Sequence, residues 1–344
     1  MADDEELFTR AEARDKGLTD RQITRRLKSG TLVAARRGIL RRGSGPQRES
    51  VSDRSPAVPV DVKAALLTSP SRELVVSHAT AARLLGLPKP LAGWPRPQFT
   101  ATDGPTRNRS GIQIKVATLE ASQVIEHLGI AVTTMSRTLA DCLRTLPGRD
   151  SLAMLDHALN RGSVDLSAVL EVVRQQARWR GVAIARQVVA RADARRESPL
   201  ESWSAWAFAH TDVPVPEWQV EVHEPDGQLI GRADCWWSAG VVGEADGRSK
   251  YALAAAERGG DAAAVYRVLQ AERKREQRLR DVGAEVVRWS SEEVLDKAAA
   301  HRLAQRIAGA LAQARAQARF TGVIAPTMLQ ASTDERPDPP SDCA

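Results

Sequence analysis

The segment GRADCWWSAGVVGEADGRSKY, residues 231–251, constrains the fold more than any other part of the chain. Two apolar runs flank the turn signal Ser238-Ala239-Gly240, a pattern that predicts a tight β-hairpin centred on Ala239. Such a hairpin sets Asp234 on its first strand opposite Glu244 on its second. Directly opposed residues of an antiparallel pair share a face, with Cβ atoms about 4.5–5.5 Å apart. Strand side chains alternate with period two, so Asp246 joins the face of Glu244. Lys250 follows, beyond the turn dipeptide Asp246-Gly247. Carboxylates this close repel one another. A hard divalent cation, Mg²⁺ or Mn²⁺, would turn that repulsion into a binding site. Solvated strand carboxylates are the plainer alternative. Against it, Trp236, Trp237, Val241 and Val242 indicate buried strands, where charges are paired or bind metal.

The surrounding sequence extends this hairpin into a domain over 196–320. Ser198 (N-cap), Pro199 (N1) and Glu201 (N3) start a helix through WSAWAFAH. EWQVEVHE and QLIGRADCWW are strands joined at Pro225-Asp226-Gly227, and VVGEAD is the third. A charged helix ending at Gly283, the strand AEVVRWS and a helix capped by Ser290-Ser291-Glu292-Glu293 complete an αβββαβα order. Residues 321–344 are polar and Pro-rich and are expected to be disordered.

The front of the chain, residues 1–42, predicts a winged helix-turn-helix. LFTRAEARDKG is one helix, and Thr19-x-x-Gln22 is a capping box that starts a second, DRQITRRLKSG. Ile23 and Leu27 face the core at i and i+4, leaving Arg21, Arg25, Arg26 and Lys28 for solvent or phosphates. TLVAARRGILRR makes two short strands around Arg36 and Arg37, a candidate wing. The helix 20–29 is expected to enter the major groove, with the wing on phosphates. Any small helical domain with a solvated basic face is the alternative.

Residues 43–57 are a Gly/Ser/Pro-rich linker, and 58–192 are mixed α/β before turning helical. His78, His127 and His157 lie far apart there and are expected to be satisfied or exposed rather than ligands. The expected class is therefore α+β and multidomain. The net charge of +6 is compatible with nucleic acid and demonstrates nothing by itself. Cys142, Cys235 and Cys343 form no CxxC, which argues against a disulfide framework or cysteine zinc site and for a reducing cytoplasm. No signal peptide and no membrane span are expected.

Helix, three strands, helix and strand with D…ExD on strands two and three resemble the PD-(D/E)XK nuclease fold. The closest likeness is to very-short-patch-repair (Vsr)-like endonuclease domains, over roughly residues 196–290. Their strand motif is E-x-D-G-x-x-H after an upstream D; here it reads Glu244-Ala245-Asp246-Gly247-Arg248-Ser249-Lys250 after Asp234, and SPLES supplies Glu201. The resemblance implies a restriction-endonuclease-like αβββαβ domain with Glu201, Asp234, Glu244, Asp246 and Lys250 as its catalytic set. Asp234 and Glu244 would hold Mg²⁺ or Mn²⁺, with the Ala245 carbonyl as a further ligand. That metal would activate water and stabilise charge on the phosphate. Lys250 would orient the water or neutralise the phosphorane. Two positions depart from the motif: Asp246 stands where a lysine is expected, and Lys250 where the histidine is. Either the lysine has moved or the fold binds nucleic acid without cutting it. Glu201, at N3 of a capping box, also has a purely structural use.

LFTRAEARDKGLTDRQITRRLKSGTLVAARRGILRR is similar to the winged helix of AbiEi-type antitoxins of type IV toxin–antitoxin pairs. VVSHATAARLLGL and GIAVTTMSRTLADCL are similar to segments that follow it, so this likeness covers roughly 1–190. It implies promoter DNA binding, a role in phage defence or autoregulation, and a cognate toxin as partner. The expectation is a bacterial protein that binds double-stranded DNA and carries a metal-dependent endonuclease-like domain. The alternative is a non-catalytic regulator or antitoxin that uses the nuclease fold as a binding platform.

Overall fold

The computed structural model describes residues 7–36, 38–43, 58–67, 73–109, 111–246 and 262–327. Arg37, Lys250, nearly all of the expected linker and the end of the tail lie outside the described residues, as does the side chain of Arg36. The protein is mixed α/β, with three sheets among the described residues. It divides into two compact units, Met1–Thr145 and Leu146–Ala344.

In the amino-terminal unit the first elements are β1 (Phe8–Thr9), α1 (Arg10–Asp15), α2 (Asp20–Lys28), β2 (Leu32–Arg36) and β3 (Ile39–Arg42). Phe8 and Thr9 pair with β3 instead of opening the first helix. The cause is local: Thr9 is the extended N-cap of α1, and its hydroxyl accepts from the Glu12 N–H at 3.0 Å. Thr19 and Gln22 form the same reciprocal box on α2, as the T-x-x-Q spacing predicts. Arg14 of α1 binds Asp20 of α2 at 2.9 Å. Ile23 is fully buried against Phe8, Ala13, Leu32 and Leu40. The strands form a small antiparallel sheet in the order β1-β3-β2.

The rest of this unit holds α3 (Val60–Leu67), β4 (Val75–Val76), α4 (His78–Leu84), β5 (Gln98–Ala101), β6 (Arg107–Arg109), β7 (Ile112–Val116), β8 (Val124–His127), β9 (Ile130–Thr133) and α5 (Met135–Thr145). The strands make a mixed sheet in the order β6-β7-β5-β4-β9-β8, parallel at β5/β7 and β4/β9. Val76, Phe99 and Val132, all fully buried, form its centre.

The carboxy-terminal unit starts with α6 (Gly148–Asn160), α7 (Leu166–Gln175), α8 (Val182–Val189) and α9 (Pro199–Phe208). The sequence suggests a boundary near 193–198, but α6 packs on α9 across it. Asp156 of α6 binds Arg196 at 2.7 Å and accepts from the Ser202 hydroxyl at 2.7 Å. No local signal announces these partners, which lie 40 and 46 residues away.

The sheet of this unit is β13-β12-β11-β10-β14, built from β10 (Glu217–His223), β11 (Leu229–Trp237), β12 (Val241–Ala245), β13 (Glu285–Trp289) and β14 (Val323–Pro326). Only β12 and β13 run parallel. One face packs on α9, α11 (Ser291–Leu295) and α12 (Lys297–Gln317) through Trp218, Trp237 and Trp289. The other packs on α10 (Ala262–Asp281) through Val222, Trp236, Val242 and Leu279. β14 corrects the expectation of disorder from residue 321, since Val323–Pro326 pair with β10. Ile324 there packs against the core, which gives that stretch an apolar anchor.

Candidate functional site

The hairpin register is the one a turn centred on Ala239 dictates: Trp237 pairs with Val241, Trp236 with Val242 and Cys235 with Gly243. Asp234 and Glu244 come next in that register. There the expected shared face is lost. Gln219 of β10 has φ 53°, a left-handed conformation that few non-glycine residues adopt. Trp218 before it joins the core under α9, whereas Val220 after it joins the core under α10. The same switch occurs on β11, where Cys235 lies on the α9 side and Ala233 on the α10 side. Asp234 sits at that switch. Its carboxylate accepts the Ala245 N–H at 2.7 Å.

The other carboxylates approach from different layers. Glu201 starts α9 and is 4% exposed. It accepts from Ser198 Oγ at 2.6 Å, the Glu197 N–H at 3.1 Å and Gln219 Nε2 at 2.8 Å. Glu244 faces α10, where Arg275 reaches it at 3.0 Å. Arg275 also binds Glu272 at 2.8 Å, and Arg288 of β13 reaches the same Glu272 at 2.6 Å. Asp246 lies just past the end of β12. Its N–H binds the Trp289 carbonyl at 2.8 Å, and its carboxylate lies 3.9 Å from Arg288.

Burial pushes the carboxyls of Glu201 and Glu244 upward, and the Asp234 charge raises both further. Arg275 opposes the rise at Glu244. Hydrogen bonds from Arg275, against partial burial and with help from Arg288, bring Glu272 down to about 2. Burial works against the charge on Arg275, but Glu272 and Glu244 outweigh it. The Cys235 thiol, fully buried, is raised well above its ordinary value, with the nearby carboxylates adding to the effect of burial.

Among the described residues no three His, Cys, Asp or Glu side chains are gathered as a metal centre. Ser198, Gln219 and the Glu197 N–H engage both oxygens of Glu201, the Ala245 N–H engages Oδ2 of Asp234, and Arg275 engages Oε1 of Glu244. With a guanidinium already seated on Glu244, the set as arranged does not fit Mg²⁺ or Mn²⁺. Arg275 is seated by shape as well as charge. A Cβ added at Gly231 would lie 2.9 Å from its Cδ. Arg275→Gln is expected to destabilise the protein by about 1.5–3 kcal/mol, the value of hydrogen bonds to a charged group. Denaturant unfolding checks this, and a loss below about 0.5 kcal/mol, the scatter of neutral surface changes, would show the Glu244–Arg275–Glu272 contacts to be passive.

On α2, Arg21, Arg25 and Lys28 are exposed and line one open groove of about 720 Å³ with Thr19, Asp20, Gln22 and Thr24. Arg26 is exposed but does not line that groove.

The sequence reading did not single out Arg275, Glu272 and Arg288, nor a buried group in the amino-terminal unit. There Arg137 and Arg144 bind Asp141 at 3.0 and 2.5 Å, and His78 Nδ1 lies 4.0 Å from Asp141 and 2.8 Å from Ser77 Oγ. The i, i+4 and i, i+3 spacings of Arg137-Asp141-Arg144 were the available signal.

No helix among the described residues is long and apolar enough to cross a membrane. No family model matches the chain. Two uncharacterized proteins of Mycobacterium tuberculosis, one from each of two strains, are 31% identical to it over 109 residues. That stretch is 32% of this chain, and the chain spans 40% of the length of these curated relatives.

Proposed function

We propose that the chain is a bacterial DNA-binding regulator of the antitoxin type. Its amino-terminal elements act as a winged helix-turn-helix, and its αβββαβ domain serves as an endonuclease-like binding platform that does not cut. The observation that carries the DNA-binding part is the face of α2. A doubly capped helix presents Arg21, Arg25 and Lys28 on one open surface while Ile23 holds the opposite face in the core. The residues that line that surface are polar, and its three cations at helical spacing match a phosphate backbone. A cognate toxin remains the protein partner that the antitoxin likeness implies.

The platform part follows from the acidic site. Glu244 already holds a guanidinium, and Asp246 occupies the place of the motif lysine. A second reading, metal-dependent DNA cleavage, is favoured by one observation. Asp234, whose carboxylate accepts the Ala245 N–H of β12, raises the carboxyls of both Glu201 and Glu244. Were Arg275 displaced from Glu244, carboxylates this close would be stabilised by a divalent cation.

Arg21→Ala/Arg25→Ala is expected to weaken binding to duplex DNA and to lower the slope of log K against log salt by up to about two. Fluorescence anisotropy across a salt series checks this. A double variant with wild-type affinity and slope would remove α2 from the interface.

A further inference from the structure

We infer that the hairpin of α7 and α8 is a second DNA-backbone contact, carried by the carboxy-terminal unit itself. From 172 to 192 the chain holds five arginines (Arg174, Arg178, Arg180, Arg186 and Arg191) and no aspartate or glutamate. The helices pack together as a hairpin, and its turn is pinned by backbone bonds. The Trp179 N–H binds the Gln176 carbonyl at 2.9 Å, and the Val182 N–H binds the Trp179 carbonyl at 3.2 Å. Gly181, at φ 86°, takes the left-handed conformation that the entry into α8 requires. Trp179 is half-buried, so this turn is anchored, and Arg178 and Arg180 stand exposed on either side of it. Arg186 is exposed on α8. Arg174 is tied to Glu171 at 3.3 Å, whereas Arg178 and Arg186 make no ion pair among the described residues.

Charge complementarity selects the occupant. The carboxylate site of the same unit sets Asp234, Glu244, Asp246 and Glu272 against Arg275 and Arg288, which leaves an acidic surplus. A polyanion is repelled there and attracted to the arginine-rich stretch 172–192 of the hairpin, where no carboxylate offsets Arg178 and Arg186. The backbone bonds at Trp179 hold the turn, so the two flanking residues have less backbone freedom left to lose on binding. Phosphate oxygens match guanidinium donors in bidentate geometry. A DNA backbone therefore fits this surface better than an apolar or cationic partner.

This inference rests on the DNA-binding reading above, and the test separates the two. Arg178→Glu/Arg186→Glu, Arg21→Ala/Arg25→Ala and wild type are compared in full-length protein, by anisotropy on one DNA duplex from 50 to 200 mM salt. These are surface positions, and unchanged melting temperatures confirm intact folds. The hairpin variant is expected to bind more weakly at low salt, with a slope shallower by about two. An unchanged hairpin variant beside a weakened α2 variant overturns this inference alone. A wild type that binds no duplex overturns both. An acidic protein docking at the hairpin instead of DNA gives the first of these results.

Discussion

Asp156→Ala is expected to destabilise the carboxy-terminal unit by about 3–5 kcal/mol, the cost of removing one partner of a buried ion pair. Arg196 is 3% exposed and keeps its charge. The substitution strands that charge and also strips the acceptor from the Ser202 hydroxyl and the Asp193 N–H. Burial alone pushes the Asp156 carboxyl up, and Arg196 pulls against it, so the pair is a compromise that neither member tolerates alone. Asp156→Asn keeps one acceptor oxygen and should lose less. In a unit of this size the Ala variant lowers the melting temperature by roughly 6–20 °C. Calorimetry reads this directly. A shift under about 2 °C would mean that α6 is not part of the core built around α9. By the same physics, a fragment starting near Arg191 lacks Asp156 and should unfold at lower denaturant than one starting near Leu146.

The second large effect is a pH dependence in the amino-terminal unit. His78 is 3% exposed, and burial lowers its pKa to about 4, with Lys115, Arg144 and Arg137 adding to the effect and Asp141 opposing it. The folded state thus holds a neutral imidazole. An unfolded histidine takes up its proton below about pH 6.5. Stability is therefore full above pH 6.5 and falls as pH drops toward 4, by about 3 kcal/mol over that window. Asp141 acts in a lower window. Burial would raise its pKa, but His78, Arg137 and Arg144 together hold it below the ordinary value, so its contribution is lost only in stronger acid. His78 has φ 54°, a conformation asparagine accepts, so His78→Asn isolates the titration from backbone strain. Urea unfolding at pH 7, 5.5 and 4 should show a steep loss for wild type and a nearly flat response for His78→Asn. Equal slopes would refute the assignment to His78.

The legibility of this chain follows the range of each interaction. The capping boxes at Thr19 and Ser290 involve residues three apart and were readable from spacing. The hairpin register was readable because turn and strands are contiguous. The destination of each carboxylate was not. Period-two alternation put Asp234 and Glu244 on one face, and the left-handed Gln219 on a neighbouring strand breaks that alternation. Nothing in the sequence around Gln219 marks it for that conformation. Arg275 meets Glu244 across 31 residues, and α10 would have had to be docked before the pair could be seen. β14 was hidden by its polar, Pro-rich surroundings, although Val323 and Ile324 carry a short apolar signal.

A single gel of supercoiled plasmid incubated with full-length protein and Mn²⁺ tests the central claim most directly. Binding through α2 without cleavage predicts retarded DNA that is still supercoiled after the protein is removed, with retardation reduced in Arg21→Ala/Arg25→Ala. Nicked or linear product that disappears in Asp234→Ala would contradict the platform reading and establish metal-dependent cleavage, and an unretarded plasmid would contradict DNA binding itself.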